Sequence, residues 1–330
     1  MKAIVYTKYG SPDMLKLKEV KTPSPLDEDI LVEVHSASVN AYDWHFLTAD
    51  IFLIRLMGGG LLRPKKQTLG SDIAGKVVAV GKNVSRFQVG DQVFGAAKGG
   101  SGGFAEYVCA TERSLALKPS NVSFEDASCV SMAALTALQG LRDQGHIQPG
   151  QKVLIHGASG GVGTFAIQIA KSFGAEVTAV CSSRNVDIAR SIGADYVIDY
   201  TREDFSKDGK LYNLIFVANG NLPISKYKQA LEPKGICVLA GGGGASIIQL
   251  FVGTLQGWWI QKTENKKISS FMANINQKDL AFMKELLASG KVKPVIDRRY
   301  PLSETADALR YLGEGHAKGK IVIMVEHNSK

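Results

Sequence analysis

Residues 155–163 read IHGASGGVG, with glycines at 157, 160 and 163 in a GxxGxxG spacing and Gly161 as an extra. The stretch before it, KVLIHG, reads as an apolar strand, and the stretch after it, GTFAIQIAKSFGA, has helical spacing. A glycine turn in that position delivers a strand to a helix N-terminus. Residues without a Cβ permit the tight turn, close approach of the backbone to a pyrophosphate, and close packing of helix on strand. The unpaired N–H groups and dipole of the helix end favour an anion. Gly157, Ser159, Gly160, Gly161, Val162 and Gly163 are therefore candidate residues of a dinucleotide site.

The end of the next strand bears on which dinucleotide. An NAD site usually presents an Asp or Glu about 20 residues past the glycines, where it binds ribose hydroxyls. This chain has CSSRN there: Ser182, Ser183 and Arg184, with no acid in the segment. Two hydroxyls and a guanidinium can bind a 2'-phosphate, and the inference is NADPH. The same residues suit a cap on the following helix, and the two roles are compatible.

The elements that must position these groups fall into two patterns. The first 120 or so residues are β-rich, with MKAIVY, ILVEVHSASVN, IAGKVVAVG, QVFGAA and FAEYVCA separated by turn clusters such as TPSP and GGSGG. The segment SFEDASCVSMAALTALQGLRD reads as one helix, capped at Ser123 and ending near Gly145. From Lys152, short apolar strands alternate with amphipathic helices, the signature of βαβ units and a parallel sheet. The tail reads as a helix (QKDLAFMKELLASG), an extended KPVIDRRYPL, a helix (SETADALRYLGEG) and a strand (KIVIMV), and pattern alone does not place it.

Composition narrows the classes. At 330 residues and 45% hydrophobic the chain is long enough for two domains. The formal charge is +8, yet its densest basic clusters are only RPKK (63–66) and ENKK (264–267), which favours an anionic ligand, or no special partner, over a nucleic-acid stripe. Cys109, Cys129, Cys181 and Cys237 are far apart, the pattern of reduced intracellular thiols. With no signal-peptide pattern at the start, the expectation is a cytoplasmic protein. The apolar stretches at 52–62 and 245–260 fall short of an integral membrane span and suit a substrate rim, a subunit contact or peripheral contact with a membrane. No HExxH or CxxC is present, and the six histidines are isolated in sequence.

The motifs SVNAYDWH, LGSDIAGKVVAVGKNVSRFQVGDQVFG, GGFAEYVCA, AALTALQGL, VLIHGASGGVG and SIGADYVIDY occur in that order. Together they make the chain resemble the medium-chain dehydrogenase/reductase superfamily along essentially its whole length. Within it, SPDMLKLKEV, VANGN, GKVKPVID and GHAKGKIVI resemble the zinc-free quinone oxidoreductase branch and its alkenal/one oxidoreductases. The resemblance implies an α/β chain with a GroES-like, β-rich catalytic domain (residues 1–121 and 262–330) and an inserted Rossmann domain with a doubly wound parallel sheet (122–261), NADPH lying in the cleft. It further implies that Gly160 to Gly163 hold the pyrophosphate. By the same likeness Ser183, Arg184 and Tyr200 surround the adenosine phosphate, Asn219 and Gly241 flank the nicotinamide ribose, and Lys320 closes from the tail. Asn40 takes the position beside the nicotinamide ring; Tyr42, Asp43 and Ser71 lie near it as candidate catalytic groups or as scaffold hydrogen-bonders.

Where zinc enzymes of the superfamily carry a cysteine ligand, this chain has Asn40; where they carry Gly-His-Glu, it has Gly70, Ser71 and Asp72. The lobe with four closely spaced cysteines is missing. The expectation is therefore no bound metal and no zinc-assisted alcohol oxidation. A conjugated alkene or quinone can still take hydride directly if the developing oxyanion is hydrogen-bonded. The leading reading is an NADPH-dependent, zinc-independent reductase of small-molecule quinones or enones, expected as a homodimer. The alternatives are an enoyl-thioester reductase, for which RPKK would be the basic entrance, and a non-catalytic NADPH-binding protein.

Overall fold

The computed structural model describes residues 1–50, 54–55, 60–220, 222–240 and 265–327. Contacts divide the chain into two compact units: Met1–Met132 with Ile275–Gly290 and Ile296–Lys330, and Ala133–Asn274 with Lys291–Val295.

The first unit opens with β1 (Lys2–Val5) paired antiparallel to β2 (Lys16–Glu19). There follow β3 (Asp29–Val39), α1 (Ala41–Thr48), β4 (Asp72–Val80), β5 (Gln92–Ala96), β6 (Tyr107–Thr111), β7 (Leu115–Leu117) and α2 (Phe124–Ser128). The second unit carries α3 (Ala133–Gln139), β8 (Lys152–His156), α4 (Gly161–Ser172), β9 (Glu176–Cys181), α5 (Val186–Ser191), β10 (Tyr196–Asp199), β11 (Tyr212–Val217), α6 (Ile224–Gln229), β12 (Leu231–Ala240) and β13 (Lys267–Phe271). The tail then returns α7 (Gln277–Ala288), β14 (Ile296–Pro301), α8 (Thr305–Gly313) and β15 (Lys320–Met324) to the first unit.

That return completes a seven-stranded sheet, β14-β15-β3-β4-β5-β7, with β6 paired to β3. Three registers in it matter for chemistry. Antiparallel pairing sets Ile321 opposite Val39, so the first residue of β15, Lys320, meets the end of β3 at Asn40. On the other side of β3, Ser38 faces Asp72, and Asp72 in turn faces Ala96. Ile30, Val32, Val34, Ile73, Val77, Val93, Leu115 and Ile323 fill the core beneath. Each such side chain is worth about 1.5–3 kcal/mol on full burial.

The second unit is a parallel sheet of order β10-β9-β8-β11-β12-β13, the 3-2-1-4-5-6 order of a doubly wound dinucleotide fold. Its central strands β8 and β11 are apolar and buried along most of their length, because helices cover both faces of such a sheet.

The helix expected from Ser123 to Gly145 is broken. Ser123 caps α2, its Oγ accepting the Asp126 N–H at 3.0 Å, but the helix stops at Ser128. The Met132 N–H donates to the Asp72 carboxylate of β4 at 3.0 Å, and the Ser128 and Ser36 hydroxyls pair at 3.0 Å. These long-range partners draw the backbone out of the helical path. They attach α2 to the first unit, which runs on to Met132, past the expected boundary at residue 121.

Candidate functional site

In the second unit the strand registers align the C-terminal ends of β8, β9, β10 and β11: His156 lies beside Val180 and Val217, and Cys181 beside Asp199. Gly157, Ser182, Tyr200 and Ala218 thereby leave the sheet at one edge. Gly157 takes φ +77, and a Cβ there would lie 2.6 Å from the Asn219 carbonyl oxygen. A Cβ on Gly163 would lie 2.2 Å from the Gly157 oxygen, so the turn and α4 close together only as glycines. Gly160 is the N-cap of α4, with no side-chain cap. The first-turn N–H groups of Gly161, Val162 and Gly163 have no intrahelical acceptor, the arrangement by which a helix N-terminus can cradle an anion. The residues present fit a pyrophosphate.

Beside the cradle, Asn185 donates to the hydroxyls of Ser159 at 3.0 Å and Ser182 at 3.2 Å, joining the glycine turn to the β9 end. Arg184 is exposed, with no ion-pair partner among the described residues. Tyr200 is 59% exposed, and its N–H donates to the Cys181 carbonyl. Ser183 donates to the Asp199 carboxylate at 2.5 Å, and Thr201 donates to the same group at 2.7 Å. These hydroxyls hold Asp199 below the usual carboxylate range, Ser183 contributing most. An acid thus stands next to CSSRN after all, supplied by the neighbouring strand. Gly241, expected beside the nicotinamide ribose, lies outside the described residues.

The first unit brings Asn40, Asp43, Asp72 and Lys320 into one buried network. Lys320 Nζ donates to Asn40 Oδ1 at 2.5 Å and to the Val39 carbonyl at 3.3 Å, and lies 3.8 Å from Asp72 Oδ2. Asn40 Nδ2 donates to the Ser38 carbonyl at 3.2 Å and to Asp72 Oδ2 at 3.0 Å. Both amide protons are therefore engaged. The opposite amide orientation would turn an NH₂ group onto an ammonium and a carbonyl onto a carboxylate. The Asp43 carboxylate accepts the N–H groups of Asn40 and Gly70, each at 2.9 Å, tying the start of α1 to the approach to β4. Burial pushes Asp43 up to about 7, against the two N–H groups that oppose it. Burial also raises Asp72, against the pull of Lys320. Lys320, which resemblance sets against the cofactor, here has its ammonium turned inward on this network. Tyr42 and Ser71 make no hydrogen bond to it, and both of their hydroxyls lie beside Gly100.

Known proteins share this architecture. A family model described as alcohol dehydrogenase GroES-like domain matches residues 26–120, and one described as zinc-binding dehydrogenase matches residues 192–323. The chain is 32% identical to the chloroplast envelope quinone oxidoreductase homolog of Arabidopsis thaliana, over 98% of each chain. It is 33% identical to an NADPH-dependent alkenal/one oxidoreductase, chloroplastic, of the same plant, over 98% of this chain and 79% of the other. The solved quinone oxidoreductase from Coxiella burnetii superposes with a TM-score of 0.85 at 31% identity, covering 99% of each chain. The chain belongs to the medium-chain dehydrogenase/reductase superfamily. It is an oxidoreductase of the quinone oxidoreductase branch, and its Rossmann unit is built for a nicotinamide cofactor.

In this medium-chain reductase no three His, Cys, Asp or Glu side chains converge as metal ligands among the described residues. Nor is any described helix long and apolar enough to cross a membrane. Sequence reasoning missed Asn185 and Thr201, and missed that Asp199 meets Ser183. The signal for Asp199 was available: it ends the strand that neighbours β9 in a 3-2-1 order. Gly100, beside the Tyr42 and Ser71 hydroxyls, gave no signal within the run GGSGG.

Proposed function

We propose that this protein is an NADPH-dependent reductase that passes hydride to quinones or to the β-carbon of α,β-unsaturated carbonyl compounds, and that it does so without zinc. The observation that carries the reading is the uncapped N-terminus of α4, framed by Gly157, Gly160 and Gly163, with Arg184, which has no ion-pair partner among the described residues, in the adjoining segment. NADPH supplies the hydride when bound. Gly161, Val162 and Gly163 would hold its pyrophosphate, Ser182 and Arg184 its 2'-phosphate, Tyr200 its adenosine, and Asn219 and Gly241 its nicotinamide ribose. Asp199 stays ionised under Ser183 and Thr201 and lies 3.6 Å from the Arg202 guanidinium, which leaves Arg184 to meet the phosphate. Asn40, oriented by Lys320 and Asp72, and Asp43, which ties its backbone to Gly70, shape the polar centre of the catalytic unit.

The names of the two plant relatives support quinone and alkenal/one acceptors. Four free cysteines support a reducing compartment, and we place the enzyme in the cytoplasm. Among the described residues β13 ends the parallel sheet, and such a strand edge, which invites a second copy, supports a homodimer.

The test is NADPH oxidation by the purified protein with a panel of enones, quinones and enoyl thioesters, with and without a chelator. We expect turnover of enones or quinones unchanged by chelation. With NADPH deuterated at the transferred C4 position, the label should appear on the β-carbon of a saturated ketone or aldehyde. Label on the carbonyl carbon of an allylic alcohol, turnover confined to enoyl thioesters, or activity lost on chelation would overturn the reading.

A further inference from the structure

Ser71 is fully buried, and its Oγ has no hydrogen-bond partner among the described residues. A buried hydroxyl left unpaired is costly, and native interiors seldom tolerate one without a use for it. Its surroundings are tightly held: the Ser71 carbonyl accepts the Ala97 N–H at 2.8 Å, and the N–H groups of Gly102 and Gly103 donate to Leu69 and Gly70. The hydroxyl is thus fixed next to the glycine run rather than free to seek a partner.

Across the same run stands Tyr42. Its ring packs on Phe46, one turn further along α1, with centroids 4.3 Å apart, and its Oη also makes no hydrogen bond among the described residues. Burial, with the Asp43 carboxylate behind it, pushes the phenol up to about 12, so it keeps its proton at neutral pH. Gly100, with φ +71, lies beside both hydroxyls. A Cβ on Gly100 would stand 3.3 Å from Tyr42 Oη and 3.8 Å from Ser71 Oγ. Both hydroxyls therefore lie within 4 Å of one point beside the Gly100 Cα, and neither has an acceptor among the described residues.

Asn40 does not compete for the same role, because both of its amide protons are engaged with Ser38 and Asp72. We propose that Tyr42 and Ser71 form the subsite that receives the carbonyl oxygen of the substrate, with Gly100 as its floor. The proposal rests on the reductase reading above. When hydride adds to the β-carbon of an enone, the C=C electron pair shifts to make the enolate, and charge collects on the oxygen held by the two O–H groups. NADPH leaves as NADP⁺, and the α-carbon takes its proton from solvent. Neutral donors suit an oxygen that is uncharged on arrival and negative only in passage.

The experiment uses Tyr42→Phe, Ser71→Ala and the double variant of the full-length protein. Rates are measured with NADPH and an enone, and 4-nitrophenol serves as an optical probe for an enolate-like oxygen, with and without NADP⁺. We expect each single change to lower kcat by about 10²-fold while NADPH affinity stays within twofold of the parent. The parent protein should bind 4-nitrophenol as its yellow phenolate at a pH where the free compound is a neutral phenol, and the double variant should lose that colour. Ser71→Ala should melt no lower than the parent, since it removes an unpaired group; a hydroxyl kept for structure would give the opposite. Variants that turn over enone at the parental rate, or a nitrophenol spectrum that the double variant leaves unchanged, would overturn the subsite. If the parent turns over no acceptor and the phenolate colour still depends on both hydroxyls, the subsite stands as an oxyanion site and the reductase reading falls.

Discussion

The two units treat buried polarity in opposite ways. In the first, ions are taken inside and paired: Lys320 lies among Asn40, Val39 and Asp72, Asp43 lies under two N–H groups, and the buried Asp29 accepts Lys98 at 2.7 Å. In the second, the deepest ionisable groups are neutral, and the ionised Asp199 lies at the strand ends with Ser183 and Thr201. Burial drives His156 down to about 4, with its Nδ1 3.1 Å from the Tyr227 hydroxyl, and keeps the thiols of Cys181 and Cys237 protonated. At its rim, the α4 N-terminus and Arg184 have no anionic partner among the described residues. The difference teaches which unit awaits a charged ligand. A unit that satisfies its own ions offers neutral donors to what it binds, and a unit that leaves cationic groups unpaired at its edge is shaped for phosphates.

The comparison breaks first at Lys320. Lys320→Ala would strand the buried Asp72 carboxylate and deprive Asn40 of the donor that orients it. Removing one partner of a buried ion pair costs about 3–5 kcal/mol. We expect urea unfolding of the full chain to shift by that much. A loss below about 1 kcal/mol, the scale of an exposed pair, would show that the first unit does not depend on its internal ions.

At the rim of the second unit the expected effect is smaller and selective. Arg184→Ala should weaken NADPH binding by about 1.5–3 kcal/mol, the scale of a hydrogen bond between charged groups, and leave NADH nearly unchanged. Cofactor titrations followed by nicotinamide fluorescence check it. Equal loss for both cofactors would mean that Arg184 does not read the 2'-phosphate.

Legibility in the sequence divides along the same line. The Rossmann unit was readable because its chemistry is local: the strand, the glycine turn and the helix that make the cradle are contiguous, and apolar runs alternating with amphipathic helices fix the fold class. The centre of the first unit was not readable, because its partners are brought together by sheet register. Lys320 meets Asn40 across 280 residues, and Asp72 meets Met132 across 60. The same distance explains the misjudged helix, since no local pattern shows that the Met132 N–H is claimed by β4. Strand β2 escaped notice for another reason: KLKE is exposed throughout and has no buried face to show a period. Asp199 was invisible to a search for an acid after β9 because it ends a different strand.

The smallest effect is also the sharpest test of the contrast, because it has opposite signs in the two units. Asp43 titrates near 7 when folded, against 3.8 as an ordinary Asp. Between those values the folded state binds the extra proton, so stability of the first unit falls as pH rises. His156 titrates near 4 when folded, against 6.5 as an ordinary His. There the unfolded state binds the extra proton, and stability of the second unit rises with pH. One group contributes a slope of at most about 1.4 kcal/mol per pH unit. Asp72, raised by burial, adds to the first trend; His35, lowered by burial, works against it from the same unit. Hydrogen exchange of amides in β3 and β4, compared with those in β8 and β11 from pH 4.5 to 6.5 after correction for intrinsic rates, should therefore diverge. Asp43→Asn should make the β3 and β4 protection less dependent on pH, and His156→Gln should flatten that of β8 and β11, each without touching the other unit. Slopes of the same sign in both units, or single variants that leave their own unit's slope intact, would show that the opposite handling of buried polarity is not what sets the stability of either.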